Sequence, residues 1–121
     1  MKKYITFLLF FCAANVFSQD TITSGQAKDY MDKIVVLKGK VMSFKLASEG
    51  KSTNYINIDK AYPDNVFTIV ISNSYLEKQV YKIEEWKGKT VYFKGKVSVY
   101  KNDPKQTPQI FNPESIVVKK D

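Results

Sequence analysis

Residues 33–44, Lys-Ile-Val-Val-Leu-Lys-Gly-Lys-Val-Met-Ser-Phe, return in altered form as residues 89–100, Lys-Thr-Val-Tyr-Phe-Lys-Gly-Lys-Val-Ser-Val-Tyr. Six of the twelve positions are identical. Both copies alternate with period two, the signature of a half-buried strand. Val35, Leu37, Gly39 and Val41 share one face of the first copy, while Val36, Lys38, Lys40 and Met42 share the other. In the second copy Val91, Phe93, Gly95, Val97 and Val99 oppose Tyr92, Lys94, Lys96, Ser98 and Tyr100. Each copy carries a glycine on its apolar face, where a side chain would obstruct a tight bend, and such a glycine marks a bulge or barrel corner. Two long strands of this kind in one small chain predict a closed, strongly bent sheet.

The chain opens with a leader pattern. Lys2 and Lys3 precede an apolar run from Tyr4 to about Val16, followed by Val16-Phe17-Ser18 and then polar sequence. The run is short for a membrane span and suits a secretory signal peptide. Residues 1–18 are expected to be removed, leaving residues 19–121 as one domain without a stable membrane anchor. An uncleaved anchor is the alternative. Lipidation at Cys12 is disfavoured by Phe11, which stands where a lipidation site needs a small residue. The expected destination is the periplasm or the exterior.

Cys12 is the only cysteine, and the sequence contains no histidine. Zinc sites of Cys and His, Ser-His-Asp triads and Cys-His dyads are therefore excluded, and the expected mature chain has no disulfide. Glu84 and Glu85 are adjacent and diverge on a helix. Asp59 and Asp64 flank one turn and make a poor cation site without further oxygen ligands. No catalytic residue, metal or cofactor is expected. Residues 19–121 carry 17 basic against 12 acidic side chains, and every basic one is Lys. Such a balance favours anionic partners, although the composition is also what an AT-rich genome encodes. Lysine contacts phosphates as a point charge and lacks the fork that reads base edges, so weak sequence preference follows if nucleic acid is bound.

The remaining pattern fills in the fold. Thr23-Ser24-Gly25-Gln26 has the form of a capping box, predicting a short helix over 24–32. The first copy of the repeat predicts a strand over 34–44, followed by a loop around Ser48-Glu49-Gly50-Lys51-Ser52. Residues 54–59 read as a second strand with Tyr55 and Asn57 on one face and Ile56 and Ile58 on the other. A turn at Tyr62-Pro63-Asp64-Asn65 leads to a third strand over 66–72. A second capping box at Ser74–Glu77, with Leu76, Val80 and Ile83 at helical spacing, predicts a helix over 74–84. The fourth strand spans 90–100 and the fifth 109–119, the latter interrupted at Pro113. The expectation is thus an all-β protein with minor α: a five-stranded OB-fold barrel in the order β-β-β-α-β-β, preceded by a short helix. An SH3-like barrel is the runner-up.

The stretches Lys38-Gly39-Lys40-Val41, Tyr55-Ile56-Asn57-Ile58, Tyr62 to Ile71, Lys87 to Val97 and Pro108-Gln109-Ile110 resemble a family of small exported bacterial OB-fold proteins described as nucleic-acid-binding-type domains. The resemblance implies a barrel and a nucleic-acid-binding label. Members often have a glycine after the second strand, where this chain has Asp59-Lys60. OB folds bind along their second and third strands and the flanking loops, with aromatic platforms and basic grooves holding single strands. On that basis the candidate binding residues are Lys38, Lys40, Lys45, Lys51, Tyr55, Asn57, Tyr62, Lys101 and Lys105. The expected partner is single-stranded nucleic acid. The alternative is an envelope or extracellular protein or a glycan.

Overall fold

The computed structural model describes residues 20–79 and 81–120. The expected leader, with Cys12, lies outside them, as does Val80 of the expected helical stripe. Seven strands form one sheet: β1 (Thr21–Ile22), β2 (Ile34–Lys45), β3 (Thr53–Ile58), β4 (Phe67–Ser72), β5 (Thr90–Val99), β6 (Pro108–Phe111) and β7 (Ser115–Val118). Helix α1 (Asn73–Gln79) follows β4, and 3-10 helices cover Ser24–Tyr30 and Ile83–Trp86. Pairings run β2 to β3, β3 to β4, β4 to β6 and β6 to β5, and a further β2–β5 pairing brings the ring back on itself.

The five-strand expectation is corrected to seven. The two additions have separate causes. β1 is a two-residue strand laid parallel to β2, with Ile22 opposite Leu37. The expected fifth strand is two, because Asn112 takes a φ of 45° and Pro113 has no N–H for a ladder. β6 pairs with both β4 and β5, whereas β7 pairs with β5 at Val91–Lys94. Tyr75 Oη donates to the Pro113 carbonyl at 2.6 Å and fastens α1 over the break.

The two copies of the repeat lie side by side. β2 and β5 are antiparallel, with Ile34 opposite Lys96 and Lys40 opposite Thr90. Leu37 lies opposite Phe93, its own counterpart in the repeat, so a local two-fold axis passes through that pair. Gly39 consequently faces Val91 and Gly95 faces Val35. A Cβ at Gly95 would stand 2.5 Å from Ile110 Cγ2, and one at Gly39 would collide with Ile58 Cγ2. The glycines therefore serve close approach of an isoleucine within the barrel. The bend itself sits beyond Gly39: the β2–β3 register shifts between Val41 and Ser43, where β2 changes partner from β5 to β3. Inward-facing Val35, Leu37, Val41, Ile56, Ile58, Ile69, Ile71, Phe93, Val97 and Ile110 make the core. Full burial of each such side chain contributes about 1.5–3 kcal/mol.

Both expected helices are shorter than read from sequence. Over Ser24–Tyr30 the turn is 3-10, with Gln26 N–H donating to the Thr23 carbonyl at 3.1 Å. The Gln26 side chain accepts from the Thr23 N–H at 2.9 Å, the reciprocal half of the expected capping box. The second helix begins one residue earlier than expected, and its hydroxyl cap is Ser72 rather than Ser74: Tyr75 N–H donates to Ser72 Oγ at 3.3 Å. It spans Asn73–Gln79, and aromatic packing follows from Tyr81 onward. Tyr81 stacks on Tyr75 with centroids 6.5 Å apart and meets Trp86 edge-on at 5.6 Å. Trp86 in turn meets Phe93 of the core.

Candidate ligand-binding face

Inward Ile56, Ile58, Ile69, Ile71 and Ile110 fix which residues of β3, β4 and β6 point outward. The register arranges these outward residues in two rows across the sheet. Lys45 lies opposite Tyr55, Tyr55 opposite Val70, and Val70 opposite Phe111. Next to it, Ser43, Asn57, Thr68, Gln109 and Ser98 follow one another across five strands. The first row is aromatic and apolar with a cation at its end, and the second is polar throughout.

Tyr55 is 43% exposed and Phe111 55%, whereas Val70 between them is only 6% exposed. Two strand spacings put Tyr55 and Phe111 about 10 Å apart. The pair offers two ring surfaces on a rigid sheet, which a mobile loop could not hold at fixed separation. Phe111 was missing from the sequence-derived set. With Ile110 inward, Phe111 points outward, but only the parallel β4–β6 pairing puts it in line with Tyr55.

Eight of the nine candidate residues fall into three groups. Lys45, Lys51 and Tyr55 come together around a hollow of about 360 Å³ under the β2–β3 loop, with Leu46 and Thr53 also in its wall. That loop is pinned by Asn54, which is buried: its Oδ1 accepts from Ala47 N–H at 2.8 Å and its amide donates to the Ile71 carbonyl at 3.0 Å. At the other end of the face lie Tyr62, Lys101 and Lys105. Tyr62 is 76% exposed, with its backbone N–H donating to Ser43 Oγ at 3.2 Å. Lys105 Nζ donates to the Pro63 carbonyl at 2.8 Å and ties the β5–β6 loop to the Tyr62 loop. Lys101 stands exposed on the former loop. Lys38 and Lys40 form the third group. They are exposed, as expected, but belong to the wall made by β2 and β5, away from the Tyr55 row.

Asn57 lies in the outward row, as expected, but is not open to a ligand. It is 5% exposed and its amide donates to Ser43 Oγ at 2.9 Å. The same hydroxyl oxygen receives Tyr62 N–H, so Asn57 and the Tyr62 loop are held by one anchor. Burial without this bond would cost Asn57 a desolvation penalty.

Asp59 follows β3 with a φ of 67°, a left-handed conformation that favours glycine. This explains why a glycine suits the position. The aspartate is held there by its carboxylate: Oδ2 accepts from Ser24 Oγ, and Oδ1 accepts from Lys40 N–H at 3.0 Å. Both oxygens are thus engaged in fastening the first 3-10 helix to β2. Among the described residues no three His, Cys, Asp or Glu side chains gather as a metal cluster.

Comparison with known protein families and with curated proteins finds no match. Solved structures similar to this chain include OB-fold proteins. The OBody AM3L15 bound to hen egg-white lysozyme matches with a TM-score of 0.61 at 15% identity over 84% of this chain and 94% of its own. Yeast Stn1 and Ten1 match with a TM-score of 0.57 at 15% identity over 87% of this chain and 65% of theirs. A putative aspartyl-tRNA synthetase from Leishmania major Friedlin matches with a TM-score of 0.57 at 11% identity over 84% of this chain, which spans 21% of the synthetase. At these identities the likeness establishes the fold class: the chain is an OB-type barrel.

Proposed function

We propose that this chain is an exported, non-catalytic binding module that takes single-stranded nucleic acid, with little sequence preference, on the outer face of β3, β4 and β6. One observation carries the reading. Tyr55 and Phe111 are exposed in a single cross-strand row with Lys45 at its end. Bases stack on such rings whatever their identity, at about 1–3 kcal/mol per base. Lys45 at the end of β2, Lys51 in the β2–β3 loop, and Lys101 and Lys105 in the β5–β6 loop supply backbone neutralisation. The absence of Arg from the sequence fits contact with phosphates rather than with base edges.

The test is a titration of residues 19–121 into labelled single-stranded DNA at several salt concentrations. Log affinity is expected to fall with log salt at a slope near −0.7 per phosphate neutralised. No binding at low salt overturns the proposal. A protein ligand on the same face is the second reading, favoured by the OBody that binds lysozyme and by the export pattern. It predicts no salt-dependent DNA binding.

A further inference from the structure

We infer that the wall formed by β2, β5 and β7 is a second binding surface, which docks the protein reversibly on an anionic phospholipid membrane. It goes beyond the nucleic-acid reading and does not depend on it.

The outward positions of this wall carry Lys38 and Lys40 from β2, Lys94 and Lys96 from β5, and Lys119 just past β7. No outward position of these paired segments is acidic. Asp20, Asp32, Glu114 and Asp59 stand at the rim, Asp32 beside Lys96 through its N–H bond to the Val97 carbonyl, and the Asp59 carboxylate is engaged by Ser24 and the Lys40 amide.

The distribution of the lysines decides the kind of partner. The local two-fold axis sends Lys38 to Lys94 and Lys40 to Lys96. Across the β2–β5 ladder each is therefore opposite an uncharged residue: Lys38 faces Tyr92, Lys40 faces Thr90, Lys94 faces Val36 and Lys96 faces Ile34. No lysine faces another, and the charges spread over a strip about 20 Å long. One small anion cannot engage such a strip, whereas a plane of headgroups can.

The same wall exposes apolar side chains. Ile34 is 53% and Val117 58% exposed. Tyr92 lies between Lys38 and Val117 in one cross-strand row, with Lys38 Nζ 5.9 Å from its ring centroid. A phosphate backbone offers nothing to Ile34 and Val117. A lipid surface takes apolar side chains below its headgroups while lysines hold the phosphates, and this favours membrane over nucleic acid as the occupant.

The experiment is co-sedimentation of residues 19–121, which contain every pairing of the sheet, with vesicles. Phosphatidylcholine mixed with phosphatidylglycerol is compared with phosphatidylcholine alone. Binding to the mixed vesicles only is expected, weakening about fivefold for each lysine neutralised. Lys38→Gln with Lys94→Gln, and separately Lys40→Gln with Lys96→Gln, leave the core untouched and should each weaken binding about 25-fold. Val117→Ser should weaken it further at fixed charge. Tyr55→Ala and Phe111→Ala should leave it unchanged. Absence of binding to mixed vesicles at low salt overturns the proposal, as does unaltered binding in both lysine pairs. Loss of vesicle binding in the Tyr55 or Phe111 variant also overturns it. If the lysine pairs lose DNA binding while vesicle binding is absent, the wall belongs to a nucleic-acid site instead.

Discussion

The Ile58 side chain fills the space that a Cβ at Gly39 would occupy, and Ile110 does the same at Gly95. Ile58 belongs to β3 and Ile110 to β6, so the symmetry of the repeat extends to how each copy receives a neighbouring strand. Gly39→Ala and Gly95→Ala should each destabilise the barrel by about 1–3 kcal/mol, the usual cost of overpacking. Urea midpoints measure this. A double-mutant cycle of Gly39→Ala with Ile58→Ala should show coupling, because removing Cγ2 makes room for the new methyl. Strict additivity would mean that the glycine matters for backbone freedom alone.

Asp59 separates two effects that a single substitution confounds. Its φ of 67° favours glycine, while its carboxylate holds Ser24 and the Lys40 amide. Asp59→Ala loses both hydrogen bonds and keeps the strain. Asp59→Gly loses the same bonds and relieves the strain, and should be about 1 kcal/mol more stable than the alanine variant. Thermal melts of the two, side by side with the parent, give the comparison. Equal stability of the two variants would deny any backbone cost at this position.

What the sequence revealed was local. The period-two faces of both long strands, the inward glycines and the order of the main elements follow from alternation and turn chemistry. What it hid depends on register between distant segments. Nothing near Phe111 announces that β6 runs parallel to β4, and without that pairing Phe111 is a lone exposed aromatic. Asn57 reads as outward by alternation, and it is outward. Its burial follows from Ser43, fourteen residues earlier, which also anchors the Tyr62 loop. Leu76 and Ile83 fit one helical stripe, but Ile83 belongs to a separate 3-10 helix that it shares with Trp86, which packs on Tyr81. Lys38 and Lys40 illustrate the same limit: their exposure was legible, but the wall they belong to was not.

Asp103 makes the β5–β6 loop sensitive to acid. Its carboxylate accepts from Thr107 N–H and Lys105 N–H, both at 2.9 Å. These bonds, Thr107 foremost, hold its carboxyl below the ordinary value of 3.8. A depressed folded value means that the folded loop is favoured above the unfolded value. That preference is lost as pH falls from near 3.8 through the lower folded value. Amide resonances of Lys105 and Thr107 should therefore titrate together below the range of a free aspartate. In Asp103→Asn they should be flat over the same range. Because Lys105 Nζ bridges to Pro63, the Tyr62 loop should loosen in step.

Stacking and charge on the proposed binding face should be separable by salt. Phe111 is an uncharged ring, so Phe111→Ala should lower single-stranded DNA affinity about 5- to 150-fold, the loss of one base stack. The slope of log affinity against log salt should not change, since no phosphate contact is removed. Lys45→Gln should instead flatten that slope by about 0.7, the value for one phosphate on a single strand. Its effect should shrink as salt rises. Tyr55→Ala should behave as Phe111→Ala does, and the double variant should lose both stacks. Fluorescence anisotropy across a salt series measures the parent and all four variants with one probe. If Phe111→Ala binds as tightly as the parent at every salt concentration while Lys45→Gln does not, the row is held by charge alone and stacking on Phe111 has no part in binding.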